Sequence, residues 1–184
     1  MLAYKAFRPG MVCLGYQFQM GLNRTEQANC RQNGFHCAAN PLDCLVYYPD
    51  INQSEFYLVD AGGDVHEDGS DSKISCTELT ILARLPVKEF FLHGLAFLSD
   101  HPKLEQSKSV SRDSAKALRG YAAVCGEDPI AQGKQGDILA FAQKCPQTGK
   151  VTQISLTQVD GETIMPDIWY DANLTERIGK HEKE

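Results

Sequence analysis

The sequence predicts an α+β fold: a small mixed, mainly antiparallel sheet with two helices, followed by a short β-rich, β-roll-like C-terminal part. Three observations carry that prediction. Two long runs of strand-forming residues, Glu55–Val65 and Lys73–Leu85, flank an acidic glycine turn, the pattern of a hairpin. Two segments carry helix signals, a cap at Asn40-Pro41 and an apolar stripe along Val87–Ser99. Beyond Asp113, the glycines Gly120, Gly126, Gly133 and Gly136 punctuate pieces rich in small residues, as the coils of a β-roll would.

Taken in chain order, Leu2–Arg8 is a strand that stops at the turn pair Pro9-Gly10. Cys13–Gln19 alternates polar and apolar residues and is expected as one half-buried strand with Leu14, Tyr16 and Phe18 on its apolar face. Asn40 caps a short helix, Pro41 suits its first position, and Asp43 meets its positive end. Leu42, Leu45 and Val46 form the expected buried stripe, and Pro49 ends the helix. Glu55–Val65 is a strand bulged at Gly62-Gly63. The helix Val87–Ser99 buries Val87, Phe90, Phe91, Leu95 and Leu98. His101–Asp113 is polar and without period, a linker, which divides the chain into an α+β domain over 1–99 and a small β-rich region over 114–184. In that region Asp137–Lys144 and Lys150–Val159 are strands, and Asp160-Gly161 turns toward Thr163–Met165.

The 184 residues are 42% hydrophobic and 23% charged, the make-up of an ordinary globular chain with room for a sizeable core. No apolar run approaches the ~18 residues of a membrane span. The first ten residues are too polar for a secretory signal. A net charge of −6, spread along the chain, argues against a broad nucleic-acid footprint. Seven cysteines, an odd count without any Cys-x-x-Cys, fit reduced thiols in a cytosolic protein. A metal set of Cys30, His36, Cys37 and Cys44 lacks the close paired spacing of zinc sites, so no metal is expected.

Lys5-Ala6-Phe7, Cys13-x-Gly15-Tyr16-Gln17-Phe18, Gly34-Phe35-His36-Cys37-x-x-Asn40-Pro41-Leu42-Asp43 and Tyr47-Tyr48-Pro49 form a specific set. Together with Gly63-Asp64-Val65 and Ser72-Lys73-Ile74, this set resembles a domain of unknown function widespread in tailed phages and prophages, over roughly residues 3–85. The resemblance extends to a glycine-rich repeat region followed by a small β tail, here Tyr121–Gly136 and Val159–Tyr170 with the repeats shortened. It implies a phage- or prophage-type accessory protein acting in the bacterial cytoplasm and no chemistry; with the acidic balance and the missing catalytic set, a non-enzymatic protein that binds a host or phage protein, as an inhibitor of a host or defence component for example, is the leading expectation.

The candidate ligand-binding residues are His36, Asn40, Tyr47 and Tyr48, grouped where a strand enters a helix whose free N–H groups favour an anion. Asn40 capping those donors itself, with His36 a structural residue, is the plainer account. A second reading, by analogy of pattern, is an ADP-ribosyltransferase-like enzyme using NAD. There the nicotinamide stacks on Tyr47 or Tyr48 and Glu78, on an otherwise apolar strand face, serves as the catalytic carboxylate. Lys5 then stands where that pattern has His or Arg, and the Ser-Thr-Ser segment is missing. A structural or assembly role is the third reading. Self-association through residues 114–184 is also expected, because so short a roll would leave Val124, Ile130, Ile138, Leu139 and Phe141 exposed in a monomer.

Overall fold

The computed structural model describes residues 1–28, 33–67 and 72–177. It corrects the fold class. The protein is mainly β, 50% strand and 12% helical, with several sheets rather than one sheet and two substantial helices. In chain order the first strands are β1 (Leu2–Phe7), β2 (Val12–Cys13), β3 (Tyr16–Gln17), β4 (Gly21–Arg24) and β5 (Phe35–Ala38). A 3₁₀ turn, Pro41–Asp43, runs into the one-turn helix α1 (Cys44–Tyr47), then β6 (Glu55–Glu67), β7 (Lys73–Leu85) and helix α2 (Val87–Asp100). The remaining strands are β8 (Ser111–Lys116), β9 (Tyr121–Gln132), β10 (Ile138–Lys144), β11 (Val151–Gln158), β12 (Trp169–Asp171) and β13 (Glu176–Arg177). Two compact units result, Met1–Phe90 and Phe91–Glu184, divided inside α2.

The first unit is built on the β6–β7 hairpin. Each strand has 13 residues, and the pairing register shifts between Gly62 and Val65, where the sequence predicts a bulge. Gly63 makes that bulge possible. Its φ is +69°, and a Cβ there would stand 2.2 Å from Thr77 Oγ1. β6 also pairs with β1, β7 pairs with β5, and β5 pairs with β1, so the sheet closes on itself. Phe7, Phe18, Phe35, Val59, Ile74, Leu79 and Ile81 fill its interior. The closure is narrow at β1/β5, where Tyr4–Ala38 is the one register pair.

Cys13–Gln19 is not one strand. Leu14 (φ 48°) and Gly15 (φ 81°) turn the chain over, so that Val12-Cys13 pairs with Tyr16-Gln17 as a small hairpin. Leu42 and Leu45 are buried as expected, but Val46 is 42% exposed. The 3₁₀ turn advances 120° per residue instead of 100°, which carries Val46 out of the stripe begun at Leu42.

The second unit holds a six-stranded sheet in the order β11-β10-β9-β12-β13, with β8 also on β9. The glycine-punctuated segment expected as a β-roll is instead the single 12-residue strand β9. Gly126 is small for a packing reason: a Cβ there would lie 2.4 Å from Asp113 Oδ1, where the β8–β9 register shifts. Pro129 falls where β9 changes neighbours, from β10 up to Gly126 to β12 from Ile130. Val124, Ile130, Ile138, Leu139 and Phe141 are all buried, and Val124, Leu139 and Phe141 belong to this unit's core cluster. The last three residues of the expected linker, 111–113, belong to β8. Thr163–Met165 is a turn held at its start by Asp160, whose Oδ1 accepts the N–H groups of Glu162, Thr163 and Ile164.

Candidate functional site

A cleft of about 840 Å³ opens in the first unit, lined by β1, the β2–β3 hairpin, β5, the 3₁₀ turn with α1, and the start of β7. Its floor is the narrow β1/β5 seam. Lys5 lies on the same face of β1 as the core residues Ala3 and Phe7, so its side chain enters the interior and is only 5% exposed. Its ammonium donates to the carbonyl of His36 (2.5 Å), lies 3.9 Å from Cys13 Sγ and stands 5.1 Å from the centroids of both Phe7 and Phe18. Among the described residues no carboxylate pairs with it. A buried cation satisfied by a carbonyl and two ring faces, at the bottom of an open cleft, is the feature that most needs a counter-charge.

His36 follows on β5. Its Nε2 is sealed from solvent and finds no hydrogen-bond partner among the described residues; nor does Ser75 Oγ, on the residue opposite it in β7. Burial first, and then the charges of Lys73 and Lys5, lower the ring to about 4, so it is neutral at pH 7. Tyr48 donates its hydroxyl to Cys13 Sγ at 3.1 Å, and burial followed by that contact raises the phenol well above its ordinary value. Lys73 Nζ lies 4.8 Å from the Tyr47 ring centroid. Arg8 at the rim adds a third cation. The two lining carboxylates have donors of their own: Asp43 takes the hydroxyl (2.6 Å) and N–H (3.3 Å) of Ser72, and Asp50 takes the N–H of Asn52.

Of the candidates named from sequence, the cleft brings together His36, Tyr47 and Tyr48. Asn40 supports it from behind, buried, with its Oδ1 accepting from Leu42 N at 3.0 Å as an N-cap. Glu78 is not among the lining residues; its carboxylate pairs with Arg24 at 3.0 Å on the β4–β7 pairing. Cys30 lies outside the described residues. His36 and Cys37 are successive in a strand and point to opposite faces. Cys37 is buried in the interior, where its hydrogen bond to Cys76 and then burial raise its thiol, and burial raises Cys44 to about 12. Arg8, Cys13 and Lys73 are cleft residues that sequence reasoning left out of the site, and Lys5 entered it only through the enzyme analogy. The alternation Ala3-Lys5-Phe7 was the available signal, since it sets a lysine among core positions.

Residues 1–93 match the model of a domain of unknown function, DUF7666. The chain belongs to that family. The DUF7666 region takes in the whole first unit and every residue that lines the cleft. No curated protein and no solved structure matches the chain.

Proposed function

We propose that the DUF7666 unit is a binding module whose cleft takes an anionic ligand bearing a flat ring. The observation that carries this reading is the buried Lys5 ammonium at the floor of the cleft, with which no carboxylate pairs among the described residues. Lys73 and Arg8 extend the positive character outward, and the Tyr47 and Tyr48 rings supply apolar faces. Neutral His36 adds no charge of its own to the cleft. NAD and ADP fit this chemistry as probes. A transferase drawing its carboxylate from Glu78 is not supported, because that residue is engaged by Arg24 away from the cleft. The test is isothermal titration of the full chain with ADP, NAD and inorganic phosphate. Binding of at least one, weakened tenfold or more by Lys73→Ala or Arg8→Ala, supports the reading, and no heat with any of them at millimolar concentration refutes it.

A second reading rests on the β2–β3 hairpin. Leu14, at its turn beside the cleft, is 96% exposed and Tyr16 of the same hairpin 43%, so the hairpin offers an apolar tip that a partner could cover. With the phage-type resemblance, this supports an accessory protein that binds a host or phage protein in the bacterial cytoplasm. Capture from a bacterial lysate should yield one stoichiometric protein that Leu14→Ser no longer retains; equal recovery by both forms counts against it.

A further inference from the structure

Strand β11 is the outermost strand of the second sheet, paired with β10 alone among the described residues. Just beyond it, Val159 directs both its N–H and its carbonyl toward the β10 side, to Asp137 O and Gly136 N. By strand alternation Ser155 and Thr157 face β10 in the same way, while Ile154, Leu156 and Gln158 turn their backbone groups outward. Exposed edges are ordinarily blunted by lysine, proline or a bulge. Val151–Gln158 contains no charge and no proline, and its one irregularity lies at its start, opposite Gln143/Lys144. Ile154 is 40% exposed on it.

We infer that β11 pairs antiparallel with β11 of a second copy of the chain, about a two-fold axis at Ser155. The sequence of the strand is self-complementary in that register. Ile154 meets Leu156 of the other copy, and both present outward N–H and C=O groups to exchange. Gln153 meets Thr157, Thr152 meets Gln158, and at each end the exposed Lys150 meets the exposed Asp160. A shift by one residue would set outward groups against inward ones. The next permitted registers are worse: centring on Ile154 places Leu156 opposite Thr152, and centring on Leu156 places Ile154 opposite Gln158. A second copy is therefore the occupant the edge fits, and the pairing joins two sheets into one through an isologous contact. The apolar residues of β9 and β10 take no part in it, since they are buried.

Sedimentation equilibrium of the full chain should give about 41 kDa, twice 20.4 kDa, at tens of micromolar. The amides of Ile154 and Leu156 should become protected from hydrogen exchange as concentration rises. Ile154→Pro removes an outward N–H while leaving the β10 ladder intact, and should return the mass to 20.4 kDa. Should that variant fail to fold, Lys150→Glu decides: it should raise the dimer dissociation constant at least fivefold, with the difference shrinking in high salt. A wild-type mass of 20.4 kDa throughout the micromolar range overturns the inference, as does a dimer whose Ile154 and Leu156 amides exchange freely.

Discussion

Protonation of His36 gives the most quantitative handle on the cleft. Burial, with Lys73 and Lys5 nearby, places the ring at about 4, whereas an unfolded histidine titrates near 6.5. Between those values the unfolded chain holds a proton that the folded chain does not. The contribution of His36 to stability is therefore complete above about pH 6.5, is lost progressively as pH falls toward 4, and changes no further below that. At ~1.4 kcal/mol per decade the loss is bounded near ~3.4 kcal/mol. Water reaches the half-buried ring and screens it, so about 1–2 kcal/mol is expected. For a chain of this size that is about 2–8 °C in Tm. The assay is a pair of thermal melts, wild type and His36→Gln, at about pH 7 and about pH 4.5. The Tm gap between the two proteins should change by that amount, with wild type losing more in acid. A gap independent of pH, or a His36 ring that titrates near 6.5 by NMR, refutes the reasoning.

Two further substitutions probe the structure around the cleft. Lys5→Met takes away the donor to the His36 carbonyl and the cation above Phe7 and Phe18; a loss of about 1–3 kcal/mol in urea unfolding is expected, and an unchanged midpoint would show that the ammonium is dispensable. Gly63→Ala forces a Cβ against Thr77 Oγ1 and strains a backbone at φ +69°, so it should destabilise by at least ~1 kcal/mol, whereas Gly136→Ala (φ +91°), with nothing within 4 Å of its Cβ, should show backbone strain alone.

Much of the first unit was legible from local pattern. β7 begins and ends where the sequence places it, α2 runs one residue further than expected, and the bulge lies at the predicted glycines. Asn40-Pro41 also acts as read, because a cap depends on neighbours in sequence. What escaped is what depends on distant contacts. Lys5 and His36 are 31 residues apart, and only closure of β1 onto β5 turns a lysine in an apolar strand into the floor of a cleft. Glu78 stands on an otherwise apolar strand face in the sequence pattern, but β4 brings Arg24 to it. Gly126 reads as punctuation in the sequence, which cannot show Asp113 packed against it. Leu14 illustrates a different failure. In a two-residue hairpin, polar and apolar residues alternate as they do in a continuous strand, so periodicity alone did not reveal the turn.

Titration of the full chain with ADP at low ionic strength, repeated on Lys73→Ala, tests the central claim most directly. The cleft reading predicts saturable one-to-one binding in wild type, weakened tenfold or more by the substitution. It also predicts that the His36 ring signal moves on binding, because an anion beside Lys5 and Lys73 offsets the charges that hold the ring neutral. Binding that leaves the His36 signal unmoved and is indifferent to Lys73 would place the ligand elsewhere and contradict the account.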